Sequence, residues 1–165
     1  NFSEEGGNDL ALGAKINDGG FYYTPVEDYN PAGKSENQGL RSYGSMTYAG
    51  LKSFIHAGVK KDDPRVKAAL SWVKKHYTLA ENPGMGQEGL FYYFHTFAKA
   101  LDTLDLATLD DASGVKHDWR SDLVDAVVAK QLPDGSWSNA NKRWFENNPN
   151  LVTAYMLLAL GQVMN

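Results

Sequence analysis

Gln131-Leu132-Pro133-Asp134-Gly135-Ser136-Trp137 is the stretch from which the rest of the chain can be read. Upstream of it Trp119, Leu123, Ala126 and Val127 recur at three- and four-residue spacing, the signature of one helix face. Pro133 cannot continue that helix and disfavours helical geometry at Leu132, so the helix stops near Gln131. Asp134-Gly135 is a turn pair, because Asp bonds its own backbone and Gly accepts positive φ. A second apolar run follows the turn. The stretch is therefore expected to staple a helix end: the Gln131 amide bonds free carbonyls there, and the Trp137 indole folds back onto the amide.

A glutamine followed by Asp134-Gly135-Ser136-Trp137 at a helix end resembles the repeat motif of squalene and terpenoid cyclases. In that family the motif joins an outer helix to an inner helix of an α/α toroid. Lys67-Ala68 with Trp72-Val73, and more loosely Arg120, Leu123, Val124 and Val127, resemble the family's outer helices. The resemblance implies an all-α fold of alternating inner and outer helices, a partial toroid. The motif's role in the family is structural, so it carries no chemistry of its own.

The remaining chain is consistent with one helical domain. Its 165 residues suffice for a real core, with 42% hydrophobic and 22% charged residues. The net charge of −4 is mixed in sign, and no basic block of the nucleic-acid-binding kind occurs. There is no cysteine, which excludes disulfides and thiolate chemistry and is compatible with any compartment. No apolar run approaches the ~20 residues that span a bilayer. The first residue is Asn1, so the chain is expected to be a piece of a longer protein.

Residues 1–42 read as an irregular, aromatic-rich segment with a weak helical signal at 10–16. Helices are expected at 42–59, capped by Ser42 and stopped by Gly58, and at 64–77, capped by Asp63 with Pro64 in first position. A helix over 90–106 is apolar or aromatic nearly all round and should be buried. An amphipathic helix at 118–131 and a final apolar helix at 151–163 complete the set. Polar connections fill 82–89, 107–117 and 138–149, the last carrying Arg143, Trp144 and Phe145.

An internal repeat emerges from this list. Met46-Thr47-Tyr48-Ala49, His95-Thr96-Phe97-Ala98 and Val152-Thr153-Ala154-Tyr155 sit on the apolar helices, and amphipathic helices alternate with them. Asp18-Gly19, Glu88-Gly89 and Asp134-Gly135 precede them at unequal spacing. Self-similar helix pairs imply stacked hairpins with an inner and an outer layer. The first acidic-Gly pair lacks a preceding outer helix. A complete toroid of the family has roughly double this complement of helices, so the chain resembles the later part of a larger toroid or a half-sized one.

Catalytic motifs are sparse. Asp105 to Asp111 does not match the Asp-x-Asp-Asp acid of squalene-type cyclases, and Asp110-Asp111 reads as a cap or solvated loop. Without cysteine, the prenyltransferase zinc site and the complement-type thioester cannot be built. His56, His76 and His117 share no metal spacing, so no metal or other cofactor is expected. What remains is an aromatic cluster on the inner helices: Tyr43, Tyr48, Tyr92, Tyr93, His95, Phe97 and Tyr155. It reads either as a cleft that stacks on a sugar or stabilises a cation, or as core packing. A concave face bordered by Tyr43, Tyr92, Tyr93 and His95 is expected if the cleft reading holds.

Three functions are compatible with these residues. The first is a non-catalytic module that binds an apolar or glycan ligand or another chain. The second is a cyclase- or prenyltransferase-like enzyme with its acid residues elsewhere. The third is a polysaccharide-active toroid using Tyr and His as acid and base. The last helix is expected to expose Leu157, Leu158, Leu160 and Val163, which points to a homodimer.

Overall fold

The computed structural model describes residues 16–24, 31–33 and 40–164. Among the described residues five α-helices dominate: α1 (Gly44–His56), α2 (Pro64–Lys75), α3 (Leu90–Thr103), α4 (Trp119–Val128) and α5 (Pro149–Val163). The expected short helix at 10–16 lies outside the described residues except for Ile16, as does most of the polar stretch 30–38. No helix among the described residues is long and apolar enough to cross a membrane.

Helix α3 is the centre. Leu90, Phe91, Tyr93, Phe94, Phe97, Ala98 and Leu101 are buried on several sides of it, as its all-round apolar sequence requires. It packs along α1 on one flank and α5 on the other. The three helices that carry the Thr repeat thus form one row, with α2 packed against α1 and α4 against α5 and α3. In α2, Val66, Ala69, Trp72 and Val73 face the core, and the last turn carries Lys74 and Lys75, which suits a helix C-terminus.

Helix starts are held in two ways. Asp63, Asp118 and Asn148 cap α2, α4 and α5 with their own side chains, and Pro64 and Pro149 occupy first positions. The start of α1 differs from expectation. Ser42 does not cap it; its hydroxyl donates to Asp18 Oδ2 at 2.5 Å. The fully buried Asn82 takes over, accepting the Ser45 N–H at 3.0 Å and donating to the Glu88 carbonyl at 3.0 Å. Pro83 O accepts the Gly44 N–H at 2.8 Å. One buried amide in loop 82–89 therefore ties the start of α1 to the approach of α3. Gly58 ends α1 as expected, at φ +80° with its N–H on the Ile55 carbonyl.

The Gln131–Trp137 turn closes with a division of labour that sequence reading did not give. The Gln131 amide donates to the Gly135 carbonyl at 2.9 Å, inside the turn. The bond to the free helix end is made by Trp137, whose indole N–H donates to Val127 O at 2.8 Å while the ring lies buried. The ring outcompetes the amide because it brings apolar area to the core as well as a donor. Gly135 sits at φ +85°, and Ser136 N–H bonds Asp134 Oδ1 at 3.0 Å.

The same turn recurs at the other end of the row. Gly20 N–H bonds Asp18 Oδ1 at 2.9 Å, and Phe21 N–H bonds Thr47 Oγ1 at 3.0 Å. Trp137 N–H makes the matching bond to Thr153 Oγ1 at 3.3 Å. Each turn docks its aromatic residue against a threonine of the row, Thr47 on α1 or Thr153 on α5. Small residues on α1 serve this docking: at Gly50 the Phe21 ring occupies the space a Cβ would need.

Connection 107–117 is not merely a polar loop. It forms a two-stranded antiparallel ribbon, β1 (Leu109–Asp110) and β2 (Lys116–His117). Asp111 shapes its turn by accepting the N–H groups of Ser113 and Val115 at 2.8 and 3.0 Å. On α5, Leu157 and Leu158 are exposed as expected, whereas Leu160 and Val163 pack against the core.

Candidate functional site

A cleft of about 630 Å³ opens across one face of the α1–α3–α5 row. Its volume falls within the range of small-molecule sites. Tyr43, Ser45 and Met46 come from the start of α1, Tyr92 from the first turn of α3 and Tyr155 from α5. Arg143, Trp144 and Glu146 enter from the loop before α5, and Tyr23 and Pro31 from the N-terminal segment.

The loop is fixed by its asparagines. Asn141 N–H bonds Asn139 Oδ1, and Arg143 N–H bonds Asn141 Oδ1, both at 2.9 Å. These Asx turns explain the Asn-rich composition. They lead into two consecutive left-handed residues, Trp144 at φ +54° and Phe145 at φ +61°. Bulky side chains there are strained by about 1–2 kcal/mol each. The loop ends in Glu146, only 1% exposed. Glu146 Oε1 accepts the Tyr92 N–H at 2.8 Å, and Oε2 accepts Asn139 Nδ2 at 2.8 Å. The carboxylate thus sits on the positive N-terminus of α3 and anchors the strained loop to it. Burial raises its pKa, opposed by the N–H groups of Tyr92, Phe91 and Leu90 and by Asn139.

Arg143 spans the cleft edge. Its Nη1 bonds Glu88 Oε2 at 2.6 Å, and its guanidinium lies 4.6 Å from the Trp144 ring centre. Among the described residues its Nε and Nη2 take no hydrogen-bond partner, and neither do the hydroxyls of Tyr43, Tyr92 and Tyr155. Burial raises the pKa of all three phenols, so they stay protonated donors near neutral pH. The cleft therefore presents aromatic faces with three open phenol hydroxyls and one open guanidinium edge.

The six residues expected to line a site divide. Tyr43, Tyr92 and Tyr155 line the cleft. Tyr48 and Tyr93 are instead sealed in the core, 5.6 Å apart between ring centres, and Tyr93 donates to Thr78 O at 2.7 Å. His95 stacks on Tyr155 at 5.8 Å rather than lining the cleft, and burial with Lys52 and Lys99 lowers its pKa. The expected face bordered by Tyr93 and His95 is thus bordered by Tyr155 and the 143–146 loop. Gln131, Asp134, Gly135 and Trp137 hold the helix-end turn described above, and none of them lines the cleft.

Arg143, Trp144 and Glu146 were not singled out as site residues. Their signal was present: an aromatic and two opposite charges inside a polar loop, directly before an Asn-Pro helix start. The other histidines lie elsewhere. His117 sits between Asp111 and Asp122 and stacks on Tyr77, and His76 packs on Trp72. Among the described residues no group of three or more His, Cys, Asp or Glu gathers as a metal site would require.

Chemically the cleft is equipped to bind. Glu146 is the one carboxylate among its described lining residues, and N–H donors already occupy both its oxygens. No family model, no curated protein and no solved structure matches this chain.

Proposed function

We propose that this chain is a non-catalytic glycan-binding module built on the squalene-cyclase-like toroid plan. The matching turns at Asp18 and Asp134, each bonded to an inner-helix threonine, support the toroid plan. One observation carries the binding role: three tyrosine hydroxyls without a partner among the described residues and a half-exposed tryptophan converge on one open cleft. Sugar rings offer C–H faces to aromatic walls and hydroxyls to phenols. An isoprenoid would leave those phenols and the remaining edge of Arg143 unanswered, at a cost for each polar group it buries.

Trp72, Trp119 and Trp137 are buried and Trp144 is not, so emission changes report on the cleft. Titration with a panel of soluble oligosaccharides should shift Trp144 emission to the blue and protect it from iodide. Trp144→Phe should silence that change. If only long-chain prenyl or acyl compounds produced it, the apolar-ligand reading would replace this one.

Assembly is a separate proposal. Leu157 and Leu158 are 61% and 54% exposed on a flank that no further helix covers among the described residues. A two-fold dimer through this flank is the arrangement that buries them. Light scattering at tens of micromolar tests it, since a monodisperse 18.2 kDa species would exclude the dimer.

A further inference from the structure

We infer that the cleft selects sugars bearing a carboxylate, which is held by the open edge of Arg143 together with the Tyr43 hydroxyl. The inference rests on the glycan reading above and deepens it. Arg143 is the only cation among the described residues that line the cleft. Its position is set from three sides: the backbone by Asn141, one guanidinium nitrogen by Glu88, and the guanidinium plane by Trp144. That leaves the Nε–Nη2 edge, the fork whose spacing matches two carboxylate oxygens. Preorganisation of this kind removes the entropy cost of fixing a long side chain at the moment of binding.

Two neighbours decide whether an anion is tolerated. Tyr43 lines the same cleft, feels the positive charge of Arg143, and keeps a protonated hydroxyl free to donate. Glu146 is the opposing charge. It is buried beneath the surface and neutralised locally by the α3 N-terminus and Asn139. Glu88 answers one arm of Arg143 at the exposed rim, where solvent screens the pair. Of the donors still open among the described residues, the guanidinium edge and the Tyr43 phenol suit a carboxylate beside a stacked sugar ring.

The test uses the whole chain and a panel of oligomers containing galacturonate, mannuronate or glucuronate, each beside its methyl ester. The ester keeps ring shape and stacking but removes the charge. At low salt at least one acid form should bind about tenfold more tightly than its ester, the difference expected of one charge-assisted pair. The preference should shrink as salt rises, and Arg143→Gln should reduce the ratio of acid to ester affinity to within about twofold. The primary comparison is made on the wild-type chain, so it stands even if a variant folds poorly. Equal binding of every acid and its ester overturns the carboxylate inference and leaves the glycan reading intact. Binding of sulfated oligosaccharides in preference to all uronates overturns it too. Failure of all oligomers, charged and neutral, overturns both.

Discussion

Tyr92 and Tyr93 are adjacent on α3 and occupy different solvents. Tyr93 points into the core, packs on Tyr48 and Phe97, and donates its hydroxyl to Thr78 O. Tyr92 points to the cleft, contacts the Tyr155 ring at 5.7 Å, and keeps its hydroxyl open. The two tryptophans that flank the last loop divide likewise. Trp137 is buried with its indole bonded to Val127 O, while Trp144 stands 43% exposed on a strained backbone. In the core the polar atoms of Tyr93, Trp119 and Trp137 are answered by backbone carbonyls, and the sealed Tyr48 hydroxyl is the exception among the described core rings. In the cleft the protein leaves such atoms unanswered and holds the backbone in a conformation that costs free energy. That contrast separates residues kept for stability from residues available to a ligand.

The contrast is tested most severely by Trp137→Ala. It removes a buried ring and the donor at the end of α4, and should destabilise the fold by ~3–5 kcal/mol. Chemical denaturation measures it, and an unchanged midpoint would mean that the turn is decorative. Gln131→Ala should cost less, about 1 kcal/mol, because its amide closes only an exposed turn.

Glu146 belongs to both regions. Glu146→Gln sets an amide nitrogen against either the Tyr92 N–H or Asn139 Nδ2. Asn139 cannot readily turn over, since its Nδ2 also serves Gln87 O and its Oδ1 the Asn141 N–H. A loss of about 1–3 kcal/mol is expected, with loss of cleft binding. The pH dependence has a definite sign. Burial raises the Glu146 pKa, so the folded chain binds this proton more tightly than the unfolded one. From Glu146 alone, stability falls as pH rises from the ordinary carboxylate value, ~4.3, through the raised one. Asp63 (lowered to about 2), Asp111 and Asp134 act oppositely, each held down first by a side-chain hydrogen bond. Their contribution is complete above the ordinary carboxylate value and is lost as pH falls through their folded values. The wild type should therefore lose stability below about pH 4, and Glu146→Gln should lose it more steeply. Denaturation midpoints at pH 6 and pH 3.5 check this; a gap between the two proteins that narrows on acidification would reverse the assignment.

How much of this division could be read from sequence depends on the range of the interactions involved. Helices were legible because their signals are local: all-round apolarity for α3, Asp63-Pro64 for the start of α2, Gly58 for the end of α1. The turn at 131–137 was legible as a turn, yet its bonding was not. Whether an amide or an indole caps Val127 depends on which ring the core has room to bury. The Ser42 cap failed because Asn82, far along the chain, supplies a better-placed acceptor from a buried position. Tyr92 and Tyr93 were read together as one aromatic cluster, although His95, Lys99 and Asp102 recur at three- and four-residue spacing from Tyr92 and mark the partly exposed face of α3. The 143–146 loop was visible as an odd composition, but its left-handed residues are set by Glu146 gripping a helix start distant in sequence.

A finer test pairs Tyr93→Phe with Tyr92→Phe. The first strands Thr78 O and should cost about 1 kcal/mol with no effect on ligand. The second removes an unpartnered hydroxyl and should leave stability within about 0.5 kcal/mol while weakening oligosaccharide binding several-fold. Equal stability losses in the two variants would show that Tyr92 is a core residue after all.

The smallest change in stability is expected where the cleft is most exposed. Trp144→Asn replaces a bulky left-handed residue with one that tolerates that backbone and carries a local hydrogen-bonding side chain. Relief of strain, about 1 kcal/mol, is offset by losing the Arg143 stack, worth about 0.5–1 kcal/mol at an exposed site. The fold should stay within roughly 0.5 kcal/mol of wild type, an order below the effect of Trp137→Ala. Binding should behave in the opposite way, because the variant removes the cleft's broadest aromatic face and the platform that orients Arg143. Denaturation and calorimetric titration of one preparation measure both quantities. A variant that binds normally, or that loses more than about 1 kcal/mol, would place Trp144 with Trp137 among the residues that hold the fold.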